Sequence, residues 1–414
     1  MPPTSLRDQY GFLKANHYIT LPQYDHWSSE YLPSQERRSR KWQNYMRDCN
    51  LPTYRPRVFP PRSPKTQRFI LKGLPPSWRG AAWFYYAGGE VYLSSHPHLY
   101  SNLIATSDLS LSDNDKEAIE RDLHRTFPDN IHFKPSSHTS LGASDPEVPL
   151  LSSLRRVLRA FATHNAKVGY CQSLNFLAGL LLLFLSEEKA FVMLHIITTT
   201  ILPGTHDMSL EGANVDLWVL MVALKSTQPS IWSKVGSSGA GDNDDALNMP
   251  STKLPPISLC TTSWFMSLFI GTLPIESVLR VWDVLFYDGA RTLFRVALAI
   301  FKLGERRIAE LKDDMELFQV VQGLPRGMLD ATGLMQMVSR KGGVAGDWVE
   351  DRRRERRMWY ANERARVAKE LLGVVEADDT GKGGEAVADS SNMAPRGIRR
   401  RNSIWTRKRS VAVR

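Results

Sequence analysis

The stretch LRRVLRAFATHNAKVGYCQSLNFLAGLLL (154–182) consists of two apolar helical patterns joined by a short polar connection. Its first half places apolar residues on one stripe and arginines on the other, as an amphipathic helix does. Its second half belongs to the apolar run FLAGLLLLFL (176–185), which is about half the ~20 residues needed to cross a membrane. We therefore predict two core helices. The connection Gly-Tyr-Cys-Gln (169–172) contains polar residues that packing alone does not require.

The helical pattern extends over most of the chain. From Gly73 to about Ser339, apolar residues recur at helical spacing, and strict alternation rarely persists for the length of a strand. The sequence therefore predicts an all-α fold. Within it, residues 274–301 read as two helices joined at Asp288 and Gly289, because glycine permits the backbone conformation that closes a helix.

A further segment with clear helix signals is LSDNDKEAIERDLHRTFP (111–128). Residues 112–114 are preferred N-cap types, and acidic residues occupy the first turn. The helix is expected to run to Phe127, because the residue before a proline disfavours the helical conformation. Gly169 is likewise expected to end the helix that precedes it.

Composition divides the chain into regions with different expected roles. The segment before the helical domain is rich in Tyr, Trp, Pro and Arg, and residues 24–47 are predicted to form an amphipathic helix whose aromatic side chains dock on the main body. Two stretches rich in Gly, Ser, Pro and Asp, 134–149 and 234–256, are predicted to be mobile surface insertions. The four regions are an N-terminal lead-in (1–66), a helical domain (67–340), a charged helix (341–373) and a disordered basic tail (374–414).

Cysteine content limits the classes of function. The chain has 414 residues and three cysteines, Cys49, Cys171 and Cys260, with no CxxC or Cys/His ligand spacing. This pattern is typical of a reducing compartment and argues against disulfides and a structural metal site. The N-terminus has no basic segment followed by an apolar run, so no secretory signal is predicted. We therefore expect a cytoplasmic protein that binds no metal ion.

Most of the net positive charge lies in the tail. The formal net charge is +10, and residues 396–414 contain eight Lys or Arg and no Asp or Glu, so this segment carries +8. Such a tail favours peripheral contact with an acidic membrane surface, or a regulatory contact, over nucleic-acid binding. The sequence Arg-Arg-Asn-Ser (400–403) resembles a basophilic kinase site, and phosphate on Ser403 would reduce the positive charge. The alternative is a solvated tail without either role.

Two short segments place polar side chains where chemistry could use them, and the first is IERDLHR (119–125). Asp122 and Arg125 are spaced i and i+3 on the predicted helix, so the carboxylate can hold the guanidinium. Arg125 is expected on the last turn of this helix, where the helix dipole favours a cation and the side chain can project past the helix end. The alternative is an ordinary surface ion pair.

The second segment is the connection 169–172. Gln172 is predicted to lie in the first turn of the next helix, where unpaired backbone N–H groups favour an anion such as phosphate. Its amide both donates and accepts hydrogen bonds, which suits the orientation of a water molecule. The alternative is a helix-start residue with no chemical role.

Cys171 offers a different chemistry, that of a cysteine hydrolase. A nucleophilic thiol needs an adjacent base, and the candidate base His164 lies on another predicted helix. The sequence supplies no further orienting acid or oxyanion hole near this cysteine. A structural thiol is therefore favoured at this position.

Five segments of the chain resemble, in the same order, the signature of the TBC domain, the catalytic domain of Rab GTPase-activating proteins. The motifs IxxDxxR and YxQ lie between RGxxW and LRxWD blocks, and their joint occurrence is more specific than any one of them. At the N-terminus, DQYGF (8–12) and YDHWSSEYL (24–32) resemble the lead-in of fungal members related to exocytic Rab regulators. The five segments are GLPPSWRGAAW (73–83), IERDLHR (119–125), the opening stretch (154–182), WFMSLFIGTLP (264–274) and VLRVWDVLFYDG (278–289).

The resemblance implies an all-α, TBC-type fold in which two helical subdomains form a V-shaped cleft, together with a dual-finger mechanism. Arg125 matches the arginine finger, and Gln172 matches the glutamine finger that replaces the GTPase's own glutamine. Asp122 would orient Arg125, and Tyr170 would brace the glutamine loop or contact the GTPase. The supporting motif positions are Ile119, Gly169 and Asn175, and the structural motif consists of Arg79, Trp83, Trp282 and Asp283.

The resemblance also implies a partner, a GTP-bound Rab GTPase acting in vesicle trafficking and exocytosis. The Rab would hold the nucleotide and Mg²⁺, so the chain needs no cofactor and has no GxxxxGK[ST] phosphate loop of its own. Ser173 stands where the family commonly has glycine, and its extra bulk is expected to narrow the approach of the GTPase. The alternative function is a catalytically inactive Rab-binding scaffold with the same fold, in which Ser173 or the two insertions prevent productive docking.

Overall fold

The computed structural model shows a helical protein and confirms the all-α fold class. Within the described ranges no β-strand is present, and the one isolated backbone bridge joins Arg7 and Leu13. No helix in these ranges is long and apolar enough to span a bilayer. The described residues are 5–134, 148–236, 254–340 and 344–371.

Several predicted features lie wholly or partly outside the described residues. Residues 135–147 and 237–253 of the two predicted insertions are outside, and so is the whole predicted tail with Ser403. At the described edges, Pro149 begins a helix and Val235 ends one. The first predicted insertion therefore overlaps a helix at its C-terminal end, and the second overlaps a helix at its N-terminal end.

The helices of the described ranges are numbered in chain order. Those of the first half are α1 (Leu21–Asp48), α2 (Pro64–Lys72), α3 (Arg79–Tyr86), α4 (Gly89–Ser95), α5 (Leu99–Ser110), α6 (Asp113–Leu123), α7 (Pro149–His164), α8 (Leu174–Leu182) and α9 (Glu187–Ile196). A π-helical turn, Ile197–Ile201, follows α9. Those of the second half are α10 (Glu211–Thr227), α11 (Pro229–Val235), α12 (Ser258–Met266), α13 (Ile275–Asp288), α14 (Arg291–Glu310), α15 (Asp314–Gly323), α16 (Ala331–Val338) and α17 (Gly346–Leu371).

Helix α7 is the centre of the first half, where it packs against α5, α6, α8 and α9. Outside its apolar stripe, Arg155 and Arg159 donate to the Glu120 carboxylate on α6 at 2.7 and 3.0 Å. Helix α8, the predicted core helix, is almost entirely buried. The apolar stripe of α7 is buried as predicted and consists of Leu151, Leu154, Val157, Leu158 and Phe161.

Helix α13 has the corresponding place in the second half, because it packs against α2, α3, α14 and α16. Trp282 is fully buried on this helix and donates from Nε1 to the carbonyl oxygen of Leu268 at 3.1 Å. The predicted break after Asp288 is confirmed, since Gly289 closes α13 at φ +83° and α14 begins at Arg291.

The N-terminal lead-in is part of the core. Its predicted amphipathic helix is α1, and the indole of Trp42 donates to the carbonyl oxygen of Gly73 at 2.9 Å. Tyr45 and Phe59 are also buried against the main body. The docking of aromatic side chains predicted for this segment is therefore confirmed.

The helix boundaries around the two candidate motifs differ from the prediction. Helix α6 ends at Leu123, because the backbone N–H of Arg125 and the hydroxyl of Thr126 both donate to the carbonyl oxygen of Asp122. Phe127 then has φ +48°, which is incompatible with a continuing right-handed helix. Arg125 is thus in the turn after α6 and not on its last turn.

The boundaries on the other side of the site are also shifted. Helix α7 ends at His164, well before Gly169, because the carbonyl oxygen of Asn165 accepts from the backbone of Val168 and Gly169 in a separate turn. Helix α8 begins at Leu174, so Gln172 precedes the first helical turn and is not within it. The 169–173 connection is a loop of its own.

Two compact units are distinguished along the chain, Met1–Glu363 and Arg364–Arg414. The first unit contains α1 to α16, most of α17 and every candidate site residue described below. Of the second unit, the structure describes residues 364–371 at the end of α17.

Candidate functional site

The Asp122 carboxylate connects the two candidate motifs. It is buried at the end of α6, with 7% of its side chain exposed, and its Oδ1 lies 3.5 Å from Nη1 of Arg125. Its Oδ2 accepts a hydrogen bond of 2.9 Å from the hydroxyl of Tyr170. Half of the Arg125 side chain remains exposed, so the guanidinium is paired with Asp122 through Nη1 and is otherwise open to solvent.

Tyr170 is suited to act as a permanent hydrogen-bond donor in this arrangement. Burial and the neighbouring Asp122 carboxylate raise the pKa of its hydroxyl well above the usual range for tyrosine. The hydroxyl therefore stays protonated and continues to donate to Asp122 at any physiological pH.

Further hydrogen bonds fasten the 169–175 loop to α6 and its following turn. The backbone N–H of Tyr170 donates to Oδ1 of Asp115 on α6 at 3.0 Å. At the other end, the Asn175 amide donates to the Thr126 hydroxyl at 2.8 Å and accepts from the backbone of Ser173 at 3.2 Å. The exposed Arg125 and Gln172 are therefore each flanked by bonds that join the two segments.

Two backbone features shape this loop. Gly169 has φ +59°, and a Cβ atom there would lie 3.2 Å from Oδ2 of Asp115, so this position accommodates glycine best. Cys171 accepts a turn-forming hydrogen bond of 3.2 Å from the backbone of Leu174, which leaves Gln172 exposed at the turn. Beneath the motif, Ile119 is fully buried in the core.

Ser173 has a different role from the one predicted. It is 9% exposed, and its hydroxyl is buried, so its bulk does not narrow the approach to the loop. Its backbone has φ +99°, a region that only glycine adopts readily, and its Oγ has no hydrogen-bond partner among the residues that the structure describes. The consequence of serine at this position is therefore strain and an unsatisfied hydroxyl.

Replacing Ser173 by glycine is expected to stabilise the fold by about 1 kcal/mol, because the backbone strain and the unsatisfied group both disappear. Urea unfolding of the purified protein measures this change. Ser173→Ala removes the hydroxyl and keeps the strain, so it separates the two contributions. A glycine variant that is no more stable than the wild type would show that the loop bears no strain.

The N-terminal segment supports the turn that contains Arg125. The side-chain amide of Asn130 donates to the carbonyl oxygen of Tyr10 at 3.0 Å, and Ile131 donates from its backbone to Gly11 at 3.1 Å. The Phe12 ring packs edge-on against Phe127, with centroids 5.2 Å apart. Residues 8–12, singled out by resemblance, thus contact the segment that follows Arg125.

Arg79 lies at the centre of a buried ionic cluster. Its guanidinium donates to Glu276 at 2.6 Å, lies 3.3 Å from Asp283, and donates to the Tyr10 hydroxyl at 2.6 Å. The indole of Trp83 donates to the same Asp283 carboxylate at 2.9 Å. These contacts join α3, α13 and the N-terminal segment, so these motif residues have a structural role.

The alternative based on Cys171 has no support from the geometry. Burial raises the pKa of its thiol to about 11, so the thiolate is scarce at neutral pH. The thiol contacts the carbonyl oxygen of Gln172 at 3.4 Å, whereas Nε2 of His164 is hydrogen-bonded to the Tyr92 hydroxyl at 3.2 Å. The described residues contain no cluster of three side chains suited to hold a metal ion.

Several residues that shape the site were not identified from the sequence. Asp115 was recognised only as one of the acidic residues in the first turn of α6. Its hydrogen bond with the backbone of Tyr170 was missed because the two residues are far apart in the chain. Thr126 has no local pattern that foretells its bond to Asn175. Tyr10, whose hydroxyl contacts Arg79, lies in the segment 8–12, and the resemblance of that segment was the one signal in the sequence that could have identified it.

Comparison with known proteins gives a consistent result. The family described as the Rab-GTPase-TBC domain matches residues 76–309. The GTPase-activating protein MSB4 of Saccharomyces cerevisiae is 40% identical over 399 residues, which cover 85% of this chain and 80% of that protein. The GTPase-activating protein GYP3 of the same yeast is 41% identical over 380 residues, and the match covers 80% of this chain and 59% of that protein.

Solved structures agree with these matches. The crystal structure of the Chlamydomonas flagellar RabGAP TBC domain aligns with a TM-score of 0.62 at 28% identity, over 81% of this chain and 99% of that one. The Ypt/Rab-GAP domain of Gyp1p aligns with a TM-score of 0.51 at 15% identity over 66% of this chain, which supports the fold alone. The chain therefore belongs to the Rab-GTPase-TBC domain family.

Proposed function

We propose that the protein is a GTPase-activating protein for Rab-family GTPases that supplies Arg125 and Gln172 in trans. The observation that carries this proposal is the position of the Asp122 carboxylate between the two motifs. One of its oxygens lies 3.5 Å from the Arg125 guanidinium, and the other accepts a hydrogen bond of 2.9 Å from the Tyr170 hydroxyl. This bond network joins the two motif segments and leaves both candidate finger side chains exposed.

The chemistry of GTP hydrolysis fits these two side chains. As the bond between the β- and γ-phosphates breaks, negative charge spreads over the phosphoryl oxygens, and a guanidinium inserted in trans stabilises that charge. An uncharged amide is a poor base, but it can orient the attacking water by donating and accepting hydrogen bonds. Arg125 then stabilises charge, and Gln172 positions the water.

The partner supplies what this chain does not. In this proposal a GTP-bound Rab holds the nucleotide and Mg²⁺, so the protein works without a cofactor of its own. It acts in the cytoplasm on vesicle trafficking, and the resemblance of its N-terminal segment favours exocytosis. The basic tail adds a peripheral contact with acidic membranes.

Replacing Tyr170 by phenylalanine is expected to lower GTPase stimulation by roughly 10-fold, because Asp122 loses a hydrogen bond worth about 1.5 to 3 kcal/mol and no longer holds Arg125 as firmly. Single-turnover hydrolysis by the Rab measures this effect. Tyr100→Phe is a matched control, since Tyr100 donates a similar bond of 2.8 Å to Glu187. Equal losses of activity in both variants would contradict a specific role for Tyr170.

A panel of GTP-loaded Rab proteins tests the proposed function. Catalytic amounts of the wild-type protein are expected to accelerate hydrolysis by at least one Rab. GTP-dependent binding without acceleration across the whole panel would instead establish the scaffold alternative. Because Ser173 is buried, its bulk gives no reason to prefer that alternative.

A further inference from the structure

Residues 124–133 form the finger turn, the irregular segment that contains Arg125. Phe127 within it has φ +48°, which a bulky residue adopts only at a cost in energy, so the turn depends on its surroundings for its shape. One of its supports is the N-terminal strap, residues 7–12, which precedes the part of the chain that matches the family. The proposed function gives this strap no role.

Arg7 and Gly11 bond the strap to the backbone of the finger turn. Nη1 of Arg7 donates to the carbonyl oxygen of Asp129, and also to that of Gly11 at 2.7 Å. The carbonyl oxygen of Gly11 accepts in addition from the backbone N–H of Ile131 at 3.1 Å. One guanidinium therefore closes the strap on itself and fastens it to the finger turn, through charge-assisted hydrogen bonds that are stronger than neutral ones.

Glycine at position 11 is needed for the close approach of the two segments. Its φ is +89°, and a Cβ atom there would lie 2.8 Å from Cγ2 of Ile131 and 2.9 Å from Oδ1 of Asn130. Asn130 is fully buried and is held on both sides, since its amide donates to the carbonyl oxygen of Tyr10 at 3.0 Å and accepts from the backbone of His132 at 2.9 Å. A side chain at position 11 would therefore push the strap and the finger turn apart.

The strap is itself fixed to the core, so it can hold the finger turn in place. The hydroxyl of Tyr10 accepts from Arg79 at 2.6 Å and donates to Glu276 at 3.1 Å, which connects it to the buried ionic cluster. Oδ1 of Asp8 accepts from the backbone N–H groups of Tyr10 and Phe12 at 2.9 Å each and stabilises the bend between them. The strap thereby attaches the finger turn to α3 and α13.

We propose that the N-terminal strap positions the arginine finger, with Arg7 and Gly11 as its positioning residues, an assignment that rests on the proposed function. The Arg125 guanidinium is half exposed, and its 3.5 Å separation from Asp122 exceeds the roughly 2.7 to 2.9 Å of a strong charge-assisted bond. Its location therefore follows the backbone of the finger turn. Misplacing a catalytic group by about 1 Å can lower a rate by about 10²-fold, so the strap should affect the chemical step more than the affinity for the Rab.

Single-turnover hydrolysis by a substrate Rab, measured over a range of protein concentrations, tests this proposal because it separates the maximum rate from the half-saturating concentration. Arg7→Ala is expected to lower the maximum rate by roughly 10-fold and to change the half-saturating concentration by less than about two-fold. Arg7→Lys keeps a charged donor and is expected to recover much of the rate. Gly11→Ala is expected to lower the maximum rate at least as much as Arg7→Ala, because it displaces the whole strap.

Arg295→Ala is a matched control for these variants. Nε of Arg295 donates to the carbonyl oxygen of Val344 at 2.9 Å, so the substitution also removes a bond from a guanidinium to the backbone, but outside the strap and the finger turn. This variant is expected to keep the maximum rate of the wild type. Circular dichroism verifies that each variant is folded at the temperature of the assay.

The same substitutions in the Arg125→Ala background show whether the strap acts through the finger. Without a guanidinium to position, Arg7→Ala and Gly11→Ala are expected to cost less than about two-fold. The effect of Arg125→Ala alone tests the proposed function, so its failure is distinguishable from a failure of the strap. Unchanged maximum rates in both strap variants, a change confined to the half-saturating concentration, or an equal loss without Arg125 would each overturn the positioning role.

Discussion

Replacing Arg125 by alanine is expected to lower GTPase stimulation by about 10³-fold, because the guanidinium would no longer stabilise the charge that develops on the transferred phosphoryl group. The loss should appear in the rate of the chemical step, since this interaction is strongest in the transition state. Arg125→Lys should restore little of the rate, because an ammonium cannot form the same pair of hydrogen bonds. Single-turnover hydrolysis with a saturating amount of protein measures these effects.

Arg121 is a suitable control for this experiment. It is exposed on the last turn of α6, so Arg121→Ala removes the same charge near the same segment without removing the proposed finger. We expect its activity to remain close to that of the wild type. Similar losses in Arg121→Ala and Arg125→Ala would indicate a general electrostatic effect on Rab binding, and Arg125 would then not be a finger.

Replacing Arg79 by alanine is expected to lower the free energy of unfolding by about 3 to 5 kcal/mol, since it leaves two buried carboxylates without the guanidinium that donates to them. Burial alone would lower the pKa of the guanidinium, but Asp283 and Glu276 raise it well above the usual value, so the side chain is always charged. The substitution also leaves a cavity between α3 and α13. Urea unfolding followed by circular dichroism measures the loss.

Arg306→Ala is the matched control for the stability experiment. Arg306 is paired with Glu310 at 3.3 Å, but both side chains are largely exposed, so the substitution should have little effect on unfolding. If Arg79→Ala does not accumulate as folded protein, Glu276→Gln offers a milder test, because it retains the shape of the side chain while removing one charge and one of the two oxygens that accept from Arg79. Unchanged stability of both variants would contradict a structural role for the cluster.

The sequence was most informative where a local pattern determines the structure. The apolar stripe of α7 has one periodicity over its whole length, and Gly289 interrupts the next long pattern, so both features were predicted correctly. The end of α6 was missed because it depends on Thr126, whose hydroxyl bonds the Asp122 carbonyl oxygen and also receives the Asn175 amide. Such a bond between distant segments has no signature in local periodicity.

The candidate site shows the same division. Resemblance pointed to Arg125 and Gln172 and implied that Asp122 orients the arginine and Tyr170 braces the glutamine loop. The hydrogen bond from the Tyr170 hydroxyl to Asp122, which joins the two motifs, became visible only in three dimensions. Ser173 was expected to narrow the approach of the partner because its side chain is larger than the glycine that the family commonly has at this position. Its direction into the protein and its positive φ depend on how the loop meets α8, which spacing alone does not reveal.

The proposed replacement of the GTPase's own glutamine by Gln172 leads to a decisive measurement. On a substrate Rab whose own water-orienting glutamine is changed to alanine, the wild-type protein is expected to retain most of its acceleration of hydrolysis. Gln172→Ala is expected to lower that acceleration by about 10²-fold or more, because no amide then orients the water. Failure of the wild-type protein to accelerate hydrolysis by this Rab, despite normal activity on the unaltered one, would contradict the two-finger mechanism.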